Sequence, residues 1–219
     1  MSRIAIDIDS TLYDFGLPLR QAFLDMALDE GDKDRYFKGG YQSWVEWRSP
    51  TDVCGHEAFE KALESVHSPD VIKAQAPFEG ASEVVNLLCE EGHEVYFLSN
   101  RSDSREVVEA TEEWIHENIV DLGKTDMYWS VTCTLHDKRK YLVETDYLID
   151  DRPKTLVEFI YKYGPPGSKA FGLMYEYNRA LTDIPNIYLA PTWKGLEYYL
   201  QSKGVIGSFD TPVGRMISG

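Results

Sequence analysis

The stretch Arg3-Ile4-Ala5-Ile6-Asp7-Ile8-Asp9-Ser10-Thr11-Leu12 constrains this chain more than any other. Ile4, Ile6 and Ile8 around Ala5 have the apolar content of a short buried strand. Two aspartates close it, one residue apart. In an open parallel sheet, the carboxyl ends of the strands are where ligands bind. Desolvating one carboxylate is costly unless a cation or hydrogen bonds compensate it, and desolvating two costs more. A Mg²⁺ ion, a hard cation that takes oxygen ligands, would satisfy both. The alternative is a solvated strand-to-loop turn in which Asp9-Ser10 caps a helix.

The rest of the chain alternates. Apolar runs at His93–Leu98, Trp129–Thr134, Tyr147–Ile149 and Ala170–Met174 read as further strands, with Ile187–Leu189 as a short extended piece. Between them lie helical patterns over Ala81–Glu91, stopped by Gly92, over Ser104–Asn118, Lys138–Glu144 and Lys154–Tyr163, and finally over Trp193–Leu200. Strands alternating with helices imply an α/β fold, a Rossmann-like parallel sheet with helices on both faces. One section breaks the alternation. From Gly16 to Ala76 the pattern is helical, with helices near Leu17–Leu28 and His56–Val66 and an aromatic stretch at Tyr41–Arg48. It reads as a small helical cap inserted after the first strand. The expected organisation is a core domain over 1–15 and 77–203, a cap over 16–76, and a loosely held Gly-rich tail over 204–219.

Composition narrows the function. With 219 residues the chain can bury a sizeable core. No run approaches the length of a membrane span. Met1-Ser2-Arg3 leads straight into the first strand with no apolar leader, so the expectation is a cytoplasmic protein. The net charge of −15 opposes a polynucleotide partner, which would need a basic face, yet a local lysine and a metal can still hold one phosphate. Cys54, Cys89 and Cys133 have no metal-ligand spacing and read as reduced thiols. The five histidines form no ligand pattern either.

Polar groups gather after three of the strands: Asp7 and Asp9, then Ser99 and Asn100, then Asp150 and Asp151. Lys140, before the fourth strand, can bring a positive charge to the same rim. The chemistry that fits is phosphoryl transfer to a carboxylate. Asp7 attacks phosphorus and forms an aspartyl-phosphate. Asp9 protonates the leaving oxygen and then activates water. Mg²⁺ screens the repulsion between carboxylate and phosphate. Ser99, Asn100 and Lys140 hold the phosphate oxygens.

These residues resemble the four motifs of the haloacid dehalogenase-like (HAD) phosphatases: Asp7-Ile8-Asp9-Ser10-Thr11, Ser99, a lysine and Asp150-Asp151. The resemblance runs from about Arg3 to Leu200. Asp14-Phe15, Pro77-Phe78-Glu79-Gly80-Ala81 and Tyr147-Leu148-Ile149-Asp150-Asp151-Arg152-Pro153 are similar to the 5′(3′)-deoxyribonucleotidases within that superfamily. The resemblance implies a HAD-like core and a Mg²⁺ site made by Asp7, the backbone carbonyl of Asp9, and Asp150 or Asp151. It favours Lys140 over Lys138 as the phosphate lysine. It also implies a nucleoside monophosphate as substrate, its base stacked on cap aromatics among Tyr41, Trp44 and Trp47. The chain departs from the family at Ser10, where the usual residue is glycine, and at Ser99-Asn100, where a threonine-containing version is more common.

The simpler role for Trp44 and Trp47, three residues apart, is packing within the cap. Two other readings stay open for the whole chain. One keeps the chemistry and changes the substrate to another small phosphomonoester. The other is a non-catalytic HAD-like binding module. A homodimer is compatible with all of them.

Overall fold

A computed structural model describes residues 1–25, 55–121, 128–137, 142 and 144–207. Tyr41, Trp44, Trp47, Cys54, Lys138 and Lys140, together with tail residues 208–219, lie outside the described residues.

Strand β1 (Arg3–Asp7) is followed by helices α1 (Gly16–Asp25), α2 (His56–Val66), α3 (Pro69–Lys73) and α4 (Ala81–Glu90). Then come β2 (Glu94–Ser99), α5 (Arg105–Asn118), β3 (Trp129–Cys133), β4 (Tyr147–Ile149), α6 (Pro153–Glu158), β5 (Lys169–Leu173), β6 (Ile187–Ala190) and α7 (Trp193–Ser202). The strands form one six-stranded sheet in the order β3-β2-β1-β4-β5-β6. Every neighbouring pair is parallel, with Ile4 opposite both Val95 and Tyr147. This is the α/β architecture that the alternation predicts.

A parallel sheet is covered on both faces, so its strands carry apolar side chains almost continuously. Ile4, Ala5 and Ile6 are wholly buried. Ile4 and Ile6 join Phe97, Ile149 and Phe171 beneath Leu88 of α4, Trp114 of α5 and Trp193 of α7. Ala5 points the other way, to Leu98, Leu148, Leu156 of α6 and Phe159. Leu19 and Phe23 of α1 and Phe59 and Val66 of α2 extend the first of these clusters. Cys89 and Cys133 are buried thiols; burial pushes Cys89 up to about 11.

Gly92 ends α4 as its position suggests. It adopts φ 80°, open to glycine at no steric cost, and its N–H and that of His93 return to the carbonyls of Cys89 and Leu88. One expectation needs adjusting. The helix starting at Pro153 keeps its α-helical period only to Glu158, and Phe159–Tyr163 is a π-helical turn. After α7, the Val205 and Ile206 N–H groups fold back to the Leu200 carbonyl and both side chains are buried.

Candidate active site

The two strands at the middle of the sheet carry the acidic groups. In this strand order the connections on either side of β1 run in opposite directions, which opens a crevice at its carboxyl end. Asp7 ends β1, and Asp150 and Asp151 directly follow its neighbour β4. All three are buried, and carboxylate oxygens from the three lie within 4.8 Å of one another. Three anions so close in a low-dielectric site repel strongly, and burial adds a desolvation cost to each. An all-oxygen set of this kind fits a hard divalent cation such as Mg²⁺ or Ca²⁺, and it offers no soft ligand for a thiophilic metal. The Asp9 side chain is not part of this cluster.

Behind the acidic cluster, the segment after β5 braces it. The Tyr177 hydroxyl donates to Asp151, and the Asn178 amide donates to the Asp151 and Leu173 carbonyls at 2.9 Å each. The Asp150 carboxylate accepts the Arg152 N–H at 2.7 Å. Ser10 takes a left-handed φ of 60°, strained by about 1–2 kcal/mol for a non-glycine residue. Its carbonyl accepts a 2.6 Å bond from Tyr175, whose ring stacks on Tyr177. Burial, reinforced by Asp151, Asp14 and Asp7, pushes the Tyr175 hydroxyl far above its usual range, so it stays a donor.

Asp9 turns into a different set of partners. Its Oδ1 accepts from Tyr13 at 2.5 Å and from Arg101 Nη2 at 2.6 Å, and its Oδ2 accepts from Ser99 at 2.8 Å. His67 Nε2 stands 3.5 Å from Oδ2, its ring stacked on Phe15. Burial alone would raise the Asp9 carboxyl. The charges of Arg101 and His67 outweigh it and hold Asp9 well below the usual carboxylate range. Burial likewise opposes the charge on Arg101, and Asp9 together with Tyr13 reverses that and raises it.

Asp7, Asp9 and Asp151 open onto a cavity of about 220 Å³. Asn100 is at its rim, and Glu60, Leu63 and His67 on or just beyond α2 face it from the other side. Asn100 is exposed, and its amide reaches the His136 carbonyl at 3.4 Å. Ser99 is wholly buried. Its hydroxyl accepts from Arg101 Nε at 2.8 Å, so its single hydrogen points at Asp9.

The structure thus brings Asp7, Asp150 and Asp151 together and sets Asp9, Ser99 and Asn100 beside them. Sequence reasoning gave no role to Tyr13, His67, Tyr177 and Asn178, and it reads Asn100-Arg101 as the loop that opens the next helix, with phosphate contact as the lesser alternative. His67 belongs to no ligand spacing. Only the run of polar residues closing β2 hints at a buried role for Arg101.

Neither a protein-family model nor a curated protein sequence matches the chain. Solved structures do. A Thermotoga maritima protein assigned as a beta-phosphoglucomutase superposes with a TM-score of 0.55 at 15% identity, covering 92% of this chain and 99% of that one. A Bacillus subtilis protein assigned as a HAD hydrolase and bound to magnesium gives 0.52 at 13% identity, covering 91% and 98%. The fold is that of the HAD hydrolases. The D,D-heptose 1,7-bisphosphate phosphatase of B. bronchiseptica, complexed with magnesium and phosphate, gives 0.51 at 11% identity over 93% and 99%. Identities this low carry the HAD fold across and leave substrate to be argued from the site.

Proposed function

We propose that this chain is a Mg²⁺-dependent phosphatase of small phosphomonoesters, working through an aspartyl-phosphate on Asp7. The observation that carries this is the pairing of two differently built acidic groups at one cavity. Asp7 sits in the cluster suited to a cation, and Asp9 sits two residues on in a cradle of donors. A bound Mg²⁺ would be held by Asp7, Asp150 and Asp151, with the backbone carbonyl of Asp9 as a further oxygen, and would neutralise the anion that Asp7 must approach.

Asp7 attacks phosphorus, and the bond from phosphorus to the leaving oxygen breaks. Asp9 gives that oxygen a proton, then takes one from the water that attacks the phosphoaspartate and frees Asp7. Held ionised by Arg101, Asp9 matches the base role as it stands. For the acid role it takes up a proton through its cavity-facing edge, where the side chain is 13% exposed. Asn100 at the rim and Lys140 are the proposed phosphate contacts.

The finer reading is a nucleoside monophosphate, supported by the resemblance at Asp14-Phe15 and Tyr147–Pro153 and by the aromatic content around Tyr41, Trp44 and Trp47. A sugar phosphate is the second reading, favoured by the phosphosugar names of the structural neighbours. The test is phosphate release from deoxyribonucleotides, ribonucleotides and sugar phosphates, with Mg²⁺ and with EDTA, alongside Asp7→Asn. Release from nucleotides that needs both Mg²⁺ and Asp7 is expected. Release from sugar phosphates alone would overturn the nucleotide reading, and no release from any substrate would overturn the phosphatase.

A further inference from the structure

Arginine beside a phosphate site is usually a phosphate ligand, because its planar fork matches a phosphate edge. Arg101 does not do this. Its side chain is 0% exposed and it does not line the cavity, although its neighbour Asn100 does. Each nitrogen is committed elsewhere. Nη2 donates to Asp9 Oδ1 at 2.6 Å and lies 3.3 Å from the Tyr13 hydroxyl. Nε donates to Ser99 Oγ at 2.8 Å, and Nη1 donates to Thr111 Oγ1 at 3.0 Å.

These bonds close a ring. One edge of the guanidinium reaches Asp9 Oδ1 directly and Oδ2 through the Ser99 hydroxyl. A carboxylate tied at both oxygens to one rigid plane has its own plane fixed. Thr111 anchors the far side of that plane to α5, and its hydroxyl in turn donates to the Val107 carbonyl at 2.7 Å. Asp9 is thereby referenced to β2 and α5, elements that pack in the body of the fold.

We propose that Arg101 is a positioning residue for Asp9 and not a ligand of the substrate phosphate. This rests on the phosphatase reading above. The two roles separate kinetically. A phosphate ligand contributes to binding, so its loss raises KM and weakens inhibition by inorganic phosphate. A group that only aims the proton-transfer carboxylate acts on kcat and leaves both binding constants alone.

The experiment compares wild type with Arg101→Lys and Thr111→Val. It measures kcat, KM and the Kd of inorganic phosphate with Mg²⁺. Lysine keeps the charge but cannot span both oxygens, so kcat should fall about 10- to 100-fold in Arg101→Lys, the scale on which displacement of a reacting group slows an enzyme. Thr111→Val, further out, should lose about 3-fold in kcat by the same displacement logic. KM and the phosphate Kd should stay within about 3-fold of wild type in both, since neither residue adds binding energy. Thr111→Val keeps the test alive if Arg101→Lys does not fold. Undiminished kcat, or a raised KM and phosphate Kd at normal kcat, would overturn the positioning role while leaving the phosphatase intact. A wild-type protein that turns over no phosphomonoester would overturn both.

Discussion

Gly172→Ala provides a sharp test of the acidic cluster, because it reaches Asp150 through the backbone alone. Gly172 lies on β5 beside the end of β4. A Cβ built there would stand 2.2 Å from the Asp150 carbonyl oxygen and 3.3 Å from Leu189 Cδ2. Side-chain Cβ atoms essentially never approach closer than 3.0 Å, so β4 and β5 must part locally by at least 0.8 Å. The obstacle is main chain and cannot rotate away. Overpacking of this kind costs about 1–3 kcal/mol, which lowers Tm by about 2–4 °C per kcal/mol in a chain this size. The local effect is larger. Mg²⁺ demands near-ideal octahedral geometry with bonds of about 2.0–2.1 Å, so a ligand shifted by such a distance falls out of place. Mg²⁺ affinity, read by calorimetric titration, should drop at least about 10-fold, the lower end of what a disturbed metal surround costs. Gly195→Ala is the control. Its Cβ would meet Ala190 Cβ at 2.9 Å, at the start of α7, so it strains the fold away from the carboxylates. It should lower Tm and leave Mg²⁺ affinity unchanged. Wild-type Mg²⁺ affinity in Gly172→Ala would refute the assignment of Asp150 to the cation site.

Two further outcomes follow from the hydrogen-bond network. Tyr177→Phe removes the hydroxyl that donates to Asp151 and should weaken Mg²⁺ binding about 10-fold with little loss of kcat at saturating Mg²⁺, checked by the same titration and by steady-state rates. Asp9 is held below its usual range in the folded state, so its ionisation contributes stability that is fully present above the unfolded value of about 4 and is lost as pH falls through the lower folded value. Urea unfolding across the acid limb should therefore show Asp9→Asn losing stability less steeply than wild type; equal slopes would contradict the Asp9–Arg101 pairing.

The parts of the site that are visible in the sequence are those where chemistry and strand position coincide. Asp7 closes an apolar run at Ile4–Ile6, and Asp150-Asp151 close Tyr147–Ile149, so strand ends and acidic groups announce each other. Strand pairing then makes them neighbours. The network around Asp9 has no such signature. Arg101 and Thr111 are ten residues apart on a turn and a helix, and His67 comes from beyond α2. Polar residues at these places are usually solvated; here Thr111 of α5 holds Arg101 and Phe15 stacks on His67. The brace at Tyr175–Asn178 escapes for another reason: a tyrosine-rich loop after a strand looks like surface until Ser10 and Asp151 are seen beneath it. The helix from Pro153 was legible at its start, where proline suits the first turn, but periodicity does not reveal the π turn at Phe159–Tyr163.

The central place of β1 has a consequence for how the chain is made. The strand that carries Asp7 is synthesised before the other strands of the sheet, yet its two partners come late: Arg3 pairs opposite Glu94 and Ile4 opposite Tyr147. On a ribosome adding about 5–20 residues per second, Ile4 and Ile6 wait several seconds for β2 and longer for β4. During that interval an unpaired apolar strand is exposed, and the loop closures needed to cover it are long-range and slow. The acidic cluster therefore cannot assemble until β4 has been made. Its first aspartate spends the nascent phase next to a segment that chaperones, or other unfinished chains, can bind.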